Sequence, residues 1–173
     1  MKRIGLFFWK IIVTIARSVL SMLYKIFGKE LTDEAFEGWL QFIKFGMVGV
    51  LNTLINYVIT EVGYIALLKI INDRTLSLQI SQTAGFIITV FISYLINNAV
   101  VFKKEEGQTR NPIKTLVKTY VAYSVTGLFL NNLLIYMEIN IFNMSALIAP
   151  LINIIIDVPI NFFLNKLWAY KAD

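Results

Sequence analysis

Ile96-Asn97-Asn98-Ala99-Val100-Val101-Phe102-Lys103 and Leu164-Asn165-Lys166-Leu167-Trp168-Ala169-Tyr170-Lys171 are two versions of one phrase. Each closes an apolar run long enough to cross a bilayer, and each then gives an Asn, a polar or basic residue, an aromatic four positions later, and a Lys. That order suits a membrane helix surfacing among head groups. The two copies stand 68 residues apart, so two related halves are expected rather than one unique bundle.

Composition settles the solvent. With 57% hydrophobic and 16% charged residues, and a mean hydropathy of +0.68, a chain of 173 residues has too much apolar surface to hide in a soluble domain. A span takes about 20 mainly apolar residues, and four runs qualify: Phe42 to Leu68, Leu78 to Val101, Leu116 to Ile139 and Ala146 to Trp168. The absence of Cys excludes disulfides, thiolate metal sites and cysteine nucleophiles, and the absence of His removes the commonest general base and metal ligand. No cofactor is expected. The net charge of +5 lies at the edges of the apolar runs, which points to anionic lipids and not to nucleic acid.

Charge also orients the chain. Fourteen basic residues precede span one, lie between spans two and three or follow span four, against only Lys69 and Arg74 on the other side. Both termini are therefore expected in the cytoplasm. Trp39, Phe102, Tyr120, Trp168 and Tyr170 fall near the same ends, at head-group depth.

The stretch Ile4 to Phe27 is long enough to span. However, Lys10, Thr14, Arg17, Ser18, Ser21 and Lys25 recur at three- and four-residue steps as one polar stripe. Lys10 and Arg17 near the centre of a span would each cost roughly 2.5 to 3.5 kcal/mol. An amphipathic helix lying in the cytoplasmic interface is the expected placement. No A-x-A-like site follows, which argues against a signal peptide. Residues 28–38 read as a polar link, with Thr32 or Asp33 capping the next helix.

The expected fold is thus an all-α membrane protein. Four transmembrane helices form two parallel-oriented helical hairpin repeats, divided at the hydrophilic loop Lys103 to Lys114 and preceded by the N-terminal amphipathic interfacial helix. Residues 1–38 would be the cytoplasmic-face helix and link, and 39–173 the four-span domain. Within the spans, Asn52, Asn56 and Glu61, Asn97 and Asn98, Asn131 and Asn132, and Asn153 and Asp157 are polar at a depth where polar groups must pair or face a cavity. Asp157 and Glu61 are site candidates because an intramembrane carboxylate is expensive. Pro159 is expected to free backbone carbonyls close to Asp157.

Phe45-Gly46-Met47-Val48-Gly49-Val50-Leu51-Asn52-Thr53 resembles the F-x-x-V-G-x-x-N-T opening of the GtrA-like membrane proteins. Asn161-Phe162-Phe163-Leu164-Asn165-Lys166-Leu167-Trp168-Ala169-Tyr170 is similar to that family's closing N-F-x-x-N-[RK]-x-W-x-F signature, and the phrase ending at Phe102 looks like a second copy. The likeness runs from about Phe42 to Lys171. Asn98 stands where a basic residue is usual, Tyr170 where Phe is, and Asn56 where an acidic residue is frequent.

The resemblance implies a part in glycosylating bacterial cell-surface polymers such as O-antigen or teichoic acid. Specifically, it implies flipping, or assisting the flipping, of a polyprenyl-phosphate-linked sugar across the bacterial cytoplasmic membrane. Membrane glycosyltransferases would be its partners on either face. Asn52, Asn56, Glu61, Asn97, Asp157, Asn165 and Lys166 are then the expected substrate-binding residues, with Lys44, Lys103, Lys104 and Lys171 contacting phosphate or head groups. With Lys166 in one copy and Asn98 in the other, the second copy is expected to hold phosphate more strongly.

Four spans alone enclose a polar path poorly, so a homodimer is also expected. An accessory subunit that docks or stabilises a membrane glycosyltransferase is the alternative. A small exporter stays open as well. An enzyme is disfavoured, because there is no donor-binding domain, D-x-D run or Gly-rich phosphate loop.

Overall fold

The computed structural model describes residues 2–145 and 148–172. The elements among them are helical: α1 (Lys2–Ile26), α2 (Asp33–Ile71), α3 (Arg74–Ile96), α4 (Pro112–Ser124), α5 (Asn131–Asn140) and α6 (Ala149–Leu164). Three π-helical turns, π1 (Asn97–Val101), π2 (Val125–Leu130) and π3 (Asn165–Ala169), continue α3, join α4 to α5, and continue α6. Five stretches are long and apolar enough to cross a membrane: Gly5–Ile26, Asp33–Ile71, Arg74–Val101, Pro112–Asn140 and Leu151–Ala169. Four of these overlap the spans expected from the sequence, and the remaining one is the N-terminal helix. The expected start of span four at Ala146 lies outside the described residues.

Helix α2 is longer than its apolar run. Thr32 Oγ1 accepts from Ala35 N at 3.2 Å, and Asp33 and Glu34 occupy the first turn, where carboxylates suit the positive helix end. Residues 33–38 therefore belong to the helix and not to the link. Helix α2 has 39 residues, where a span needs about 20. The turns carrying Asp33, Glu34 and Glu37 have no place in hydrocarbon.

Contacts divide the chain into two compact units, Met1–Lys44 and Phe45–Asp173. In the first, Gly28 (φ +67°) turns the chain back, with Lys29 N donating to Tyr24 O at 2.9 Å. Leu20, Phe36 and Leu40 then form a small core with Trp9, Val13, Ala16, Leu31 and Ile43 packed around it. Arg17 bonds Asp33 at 2.6 Å and lies over the Phe36 ring, while Lys44 lies over Trp9. Arg17 and Asp33 are both exposed, so their pair contributes at most about 1 kcal/mol. The opposite face of α1, with Phe7, Phe8, Ile11, Ile15, Val19 and Met22, stays exposed and apolar.

The second unit inverts the soluble pattern. Val50, Leu54, Val58 and Val62 of α2 and Ile87, Ile88, Phe91 and Leu95 of α3 face outward, whereas many buried positions are small or polar, the aromatic cluster around Phe102 and Tyr170 apart. Along α3 a small or polar residue recurs every fourth position: Ser77, Ser81, Gly85, Thr89, Ser93, and then Asn97 of π1, all buried. Ser81 and Thr89 return their hydroxyls to Ser77 O at 2.7 Å and Gly85 O at 2.5 Å. Small residues let α2 approach closely. A Cβ at Gly63 would stand 3.1 Å from Ser81 Oγ, and one at Gly85 would stand 2.8 Å from Thr60 Oγ1 and overlap Asn56 Oδ1.

Both copies of the repeated phrase are π turns. Asn97 O accepts from Phe102 N at 2.7 Å, and Asn165 O accepts from Tyr170 N at 2.8 Å, one residue wider than α-helical spacing. The wider turn swings each closing aromatic inward, and the two rings stack with centroids 4.6 Å apart. Around them Phe102 meets Phe162 at 5.9 Å and Tyr170 meets Tyr94 at 6.4 Å. These two pairs exchange under the 68-residue offset. Phe45, opening the second unit, lies against both Phe102 and Phe162.

Two tests follow. Gly85→Ala forces a methyl onto Asn56 and Thr60 and should destabilise by about 1 to 3 kcal/mol, seen as a lower thermal midpoint in detergent. Gly38→Ala meets nothing within 4 Å and should be neutral or stabilising. For the ring stack, a double-mutant cycle of Phe102→Ala with Tyr170→Ala should give a coupling of about 0.5 to 1.5 kcal/mol; strict additivity would mean the stack stabilises nothing.

Candidate functional site: a cavity within the spans

Inside the second unit α2, α3, α4, π2, α5 and α6 surround a cavity of about 730 Å³. That volume falls in the range of small-molecule sites, about 300 to 1,000 Å³. Helix α2 contributes Asn52 and Asn56, one turn apart, with Gly49 leaving room beside them. Across from them stand Thr89 of α3, Tyr123 of α4, Thr126 of π2, Asn131 of α5, and Asp157 and Asn161 of α6. On α6 the polar residues recur every fourth position as Asn153, Asp157, Asn161 and, in π3, Asn165. Pro159 lies inside that helix, which continues through it. Since proline has no N–H, the Ile155 carbonyl loses its α-helical donor beside Asp157.

The cavity is rich in acceptors. Asn52 Oδ1, Asn56 Oδ1 and Asp157 Oδ1 are buried atoms with no hydrogen-bond partner within the protein. Asn52 as a residue is only 9% exposed. A buried acceptor left unmatched costs about 1 to 3 kcal/mol, so three around one cavity favour a ligand that brings N–H or O–H donors. Tyr123 and Thr126 commit their hydroxyls inside the protein: Tyr123 to Ser93 Oγ at 2.7 Å, Thr126 to Ala122 O at 3.0 Å.

Of the residues expected from the sequence to bind substrate, Asn52, Asn56 and Asp157 line this cavity. Glu61 is exposed and lies off its lining. Asn97 and Asn165 are 0% exposed and stand one side chain behind the wall. Asn97 Nδ2 donates to Ser93 Oγ at 3.0 Å, and Ser93 holds the Tyr123 hydroxyl. Asn165 Nδ2 donates to Asn161 O at 2.8 Å and to Asn161 Oδ1 at 2.7 Å. The repeated asparagine thus fixes a cavity residue in each copy, Tyr123 in one and Asn161 in the other.

The cations are distributed around the π turns. Lys166 lies over the Phe162 ring, whereas Lys103, Lys104 and Lys171 are exposed beyond the turns. Lys44 belongs to the first unit, over Trp9. Two further basic residues, Lys118 and Arg110, are more closely held. Lys118 donates to Trp168 O at 3.1 Å. Arg110, from the hydrophilic loop, donates to Asn98 Oδ1 at 3.0 Å and to Phe102 O at 2.9 Å, over the Tyr170 ring. A guanidinium thereby reaches the position where the first copy of the phrase lacks its own basic residue. Burial pushes the Tyr170 phenol up, so it remains a neutral donor, reaching Tyr94 O at 3.4 Å.

Glu138 is the residue that sequence reasoning passed over. It sits in the last turn of α5, only 6% exposed, with the Asn153 amide against its carboxylate at 3.1 and 3.3 Å. Its signal was available: Asn131 and Glu138 are seven apart, hence on one helical face, and Asn131 lines the cavity. Among the described residues no three of His, Cys, Asp and Glu gather as a metal site would require.

No curated protein and no solved structure matches the chain. A family model does, the one described as GtrA/DPMS, transmembrane domain, over residues 44–170, which takes in the cavity, both π turns and the aromatic stack. The chain is a multi-pass membrane protein of the GtrA-like family.

Proposed function

We propose that this protein moves a polyprenyl-phosphate-linked sugar between the leaflets of a bacterial cytoplasmic membrane, or assists that movement, for glycosylation of a surface polymer such as teichoic acid or O-antigen. The observation that carries this reading is the intramembrane cavity with three unmatched acceptor oxygens, on Asn52, Asn56 and Asp157. A sugar brings several hydroxyl donors to such a wall, its lipid tail suits the apolar exterior of the helices, and its phosphate suits Lys103, Lys104, Lys166, Lys171 and Arg110 around the π turns. No step of covalent chemistry is needed.

On this reading α2–α3 and α4–α6 are parallel hairpin repeats crossing at their π turns, the basic ends and both termini face the cytoplasm, and α1 lies in the interface. The exchange of the Phe102–Phe162 and Tyr94–Tyr170 pairs under the repeat offset supports the pairing of halves. The exposed apolar face of α1 favours a second reading, an accessory subunit that holds a membrane glycosyltransferase.

Reconstitution separates the two. Purified protein in liposomes should accelerate leaflet exchange of a fluorescent polyprenyl-phosphate hexose. Asp157→Asn, which loses a charge-assisted bond of about 1.5 to 3 kcal/mol, should slow exchange by about ten- to a hundred-fold at equal protein. Full-length protein that leaves exchange at the background rate, while its deletion in cells dissolves a glycosyltransferase complex, would establish the accessory reading instead. The orientation is tested by Gln108→Cys in this cysteine-free chain. A membrane-impermeant maleimide should label it in inside-out vesicles and not in intact cells; labelling of intact cells would reverse the topology.

A further inference from the structure

The Asn153 side chain is 2% exposed and bridges two groups of unlike kind. On one side lie both carboxylate oxygens of Glu138, at 3.1 and 3.3 Å; on the other lies Asn131 Oδ1 at 2.9 Å, with the Asn131 carbonyl at 3.5 Å. With Asn153 Nδ2 given to Asn131, its Oδ1 faces acceptors only. Two arrangements remove that clash. In one, Glu138 carries a proton and donates it to Asn153 Oδ1. In the other, Glu138 is ionised and both amides are turned over, so that Asn153 Nδ2 donates to the carboxylate and Asn153 Oδ1 accepts from the Asn131 side-chain N–H.

Among the described residues Glu138 has no salt-bridge partner. The elements packed on α5, which are α6 and π2, contain no Lys or Arg, and neither does α5. The titratable side chain that these two elements carry is Asp157 of α6. Tyr136, on α5 itself, is exposed. A buried carboxylate is costly unless it is paired or hydrogen-bonded, and here the bonding falls to one amide that can turn.

We infer that Glu138 is a proton-binding site whose state is relayed through the Asn153 amide to Asn131 in the cavity wall. One proton from water adds to a Glu138 carboxylate oxygen, and no other covalent bond changes. In the protonated state Asn153 donates to Asn131 Oδ1, which leaves the Asn131 N–H for the cavity. In the ionised state Asn153 presents its oxygen, Asn131 turns to donate to it, and the Asn131 oxygen is left for the cavity. The wall alternates between donor and acceptor at one point. An acceptor-rich group such as a phosphate is held in the first state and released in the second. The relay is independent of the cargo; its use in moving cargo rests on the translocation reading.

The test uses the full chain in nanodiscs with asparagine side chains 15N-labelled and glutamate carboxyls 13C-labelled, the proton being the only ligand. Across a pH titration the Asn131 side-chain amide resonance should shift in step with the Glu138 carboxyl in the wild type. It should stay fixed in Glu138→Gln, and it should also stay fixed in Asn153→Leu while Glu138 still titrates. Should Asn153→Leu fold poorly, Asn153→Ser serves with the same expectation.

Movement of Asn131 in Glu138→Gln, its persistence without the Asn153 amide, or a titrating Glu138 with a static Asn131 in the wild type would each overturn the relay. In liposomes, a pH gradient should change exchange of the fluorescent polyprenyl-phosphate hexose several-fold, and Glu138→Gln should abolish that sensitivity. Absent exchange alongside an intact NMR response removes the translocation reading and leaves the relay standing.

Discussion

Hydrocarbon offers no hydrogen bond to a buried polar atom, and the arrangement of this domain follows from that constraint. Apolar side chains gain little by meeting one another in lipid, so the helices of the second unit turn many bulky residues outward and, beyond the aromatic cluster at the π turns, bury small and polar ones. Hydroxyls on the α3 stripe that find no neighbour across the interface turn to their own backbone, as Ser81 and Thr89 do four residues back. The close approach at Gly85 and the outward-facing valines and isoleucines are two results of one cause.

The π turns answer the same constraint differently. A wide turn displaces an aromatic ring and an asparagine from where an α-helix would put them, and it does so in both copies of the phrase. The rings meet at 4.6 Å and close the domain, and the asparagines, fully buried, hold Ser93 and Asn161. Arg110 and Lys118 then cover the Phe102 and Trp168 carbonyls at the ends of the turns. Structure at the membrane surface and geometry at the cavity wall are joined through a single residue in each half.

The expectations from sequence succeeded where one physical rule dominates. Apolar runs located the membrane-crossing helices, and the i, i+4 spacing of Asn52 and Asn56 placed them on the face that lines the cavity. They missed what depends on partners distant in sequence. Nothing local marks Asn97–Val101 as π-helical, and Arg110 reads as one more loop cation until the fold brings it to Asn98. Glu138 draws no notice in the sequence, because a carboxylate near a helix end is ordinarily solvated. Only the packing of α6 on α5 makes it a buried group facing Asn153. Residues 33–38 were read as a link from composition, although a Thr cap and acidic first turn are sufficient to start a helix there.

The separation of signs within the domain bears on how a charged lipid would be handled. The unmatched atoms of the cavity are oxygens, which suit hydroxyls and repel phosphate, while the cations stand around the π turns. A sugar phosphate would thus be held in two parts, the sugar against Asn52, Asn56 and Asp157 and the phosphate at the basic rim. A phosphate passing the acceptor wall needs a donor there that can be withdrawn afterwards; a fixed lysine at that depth would bind it too well and cost several kcal/mol to bury. A neutral amide that turns over supplies a donor on demand without a buried cation. On the translocation reading, Asn131, which lines the cavity and is bonded to Asn153, occupies the position where such a switch would act.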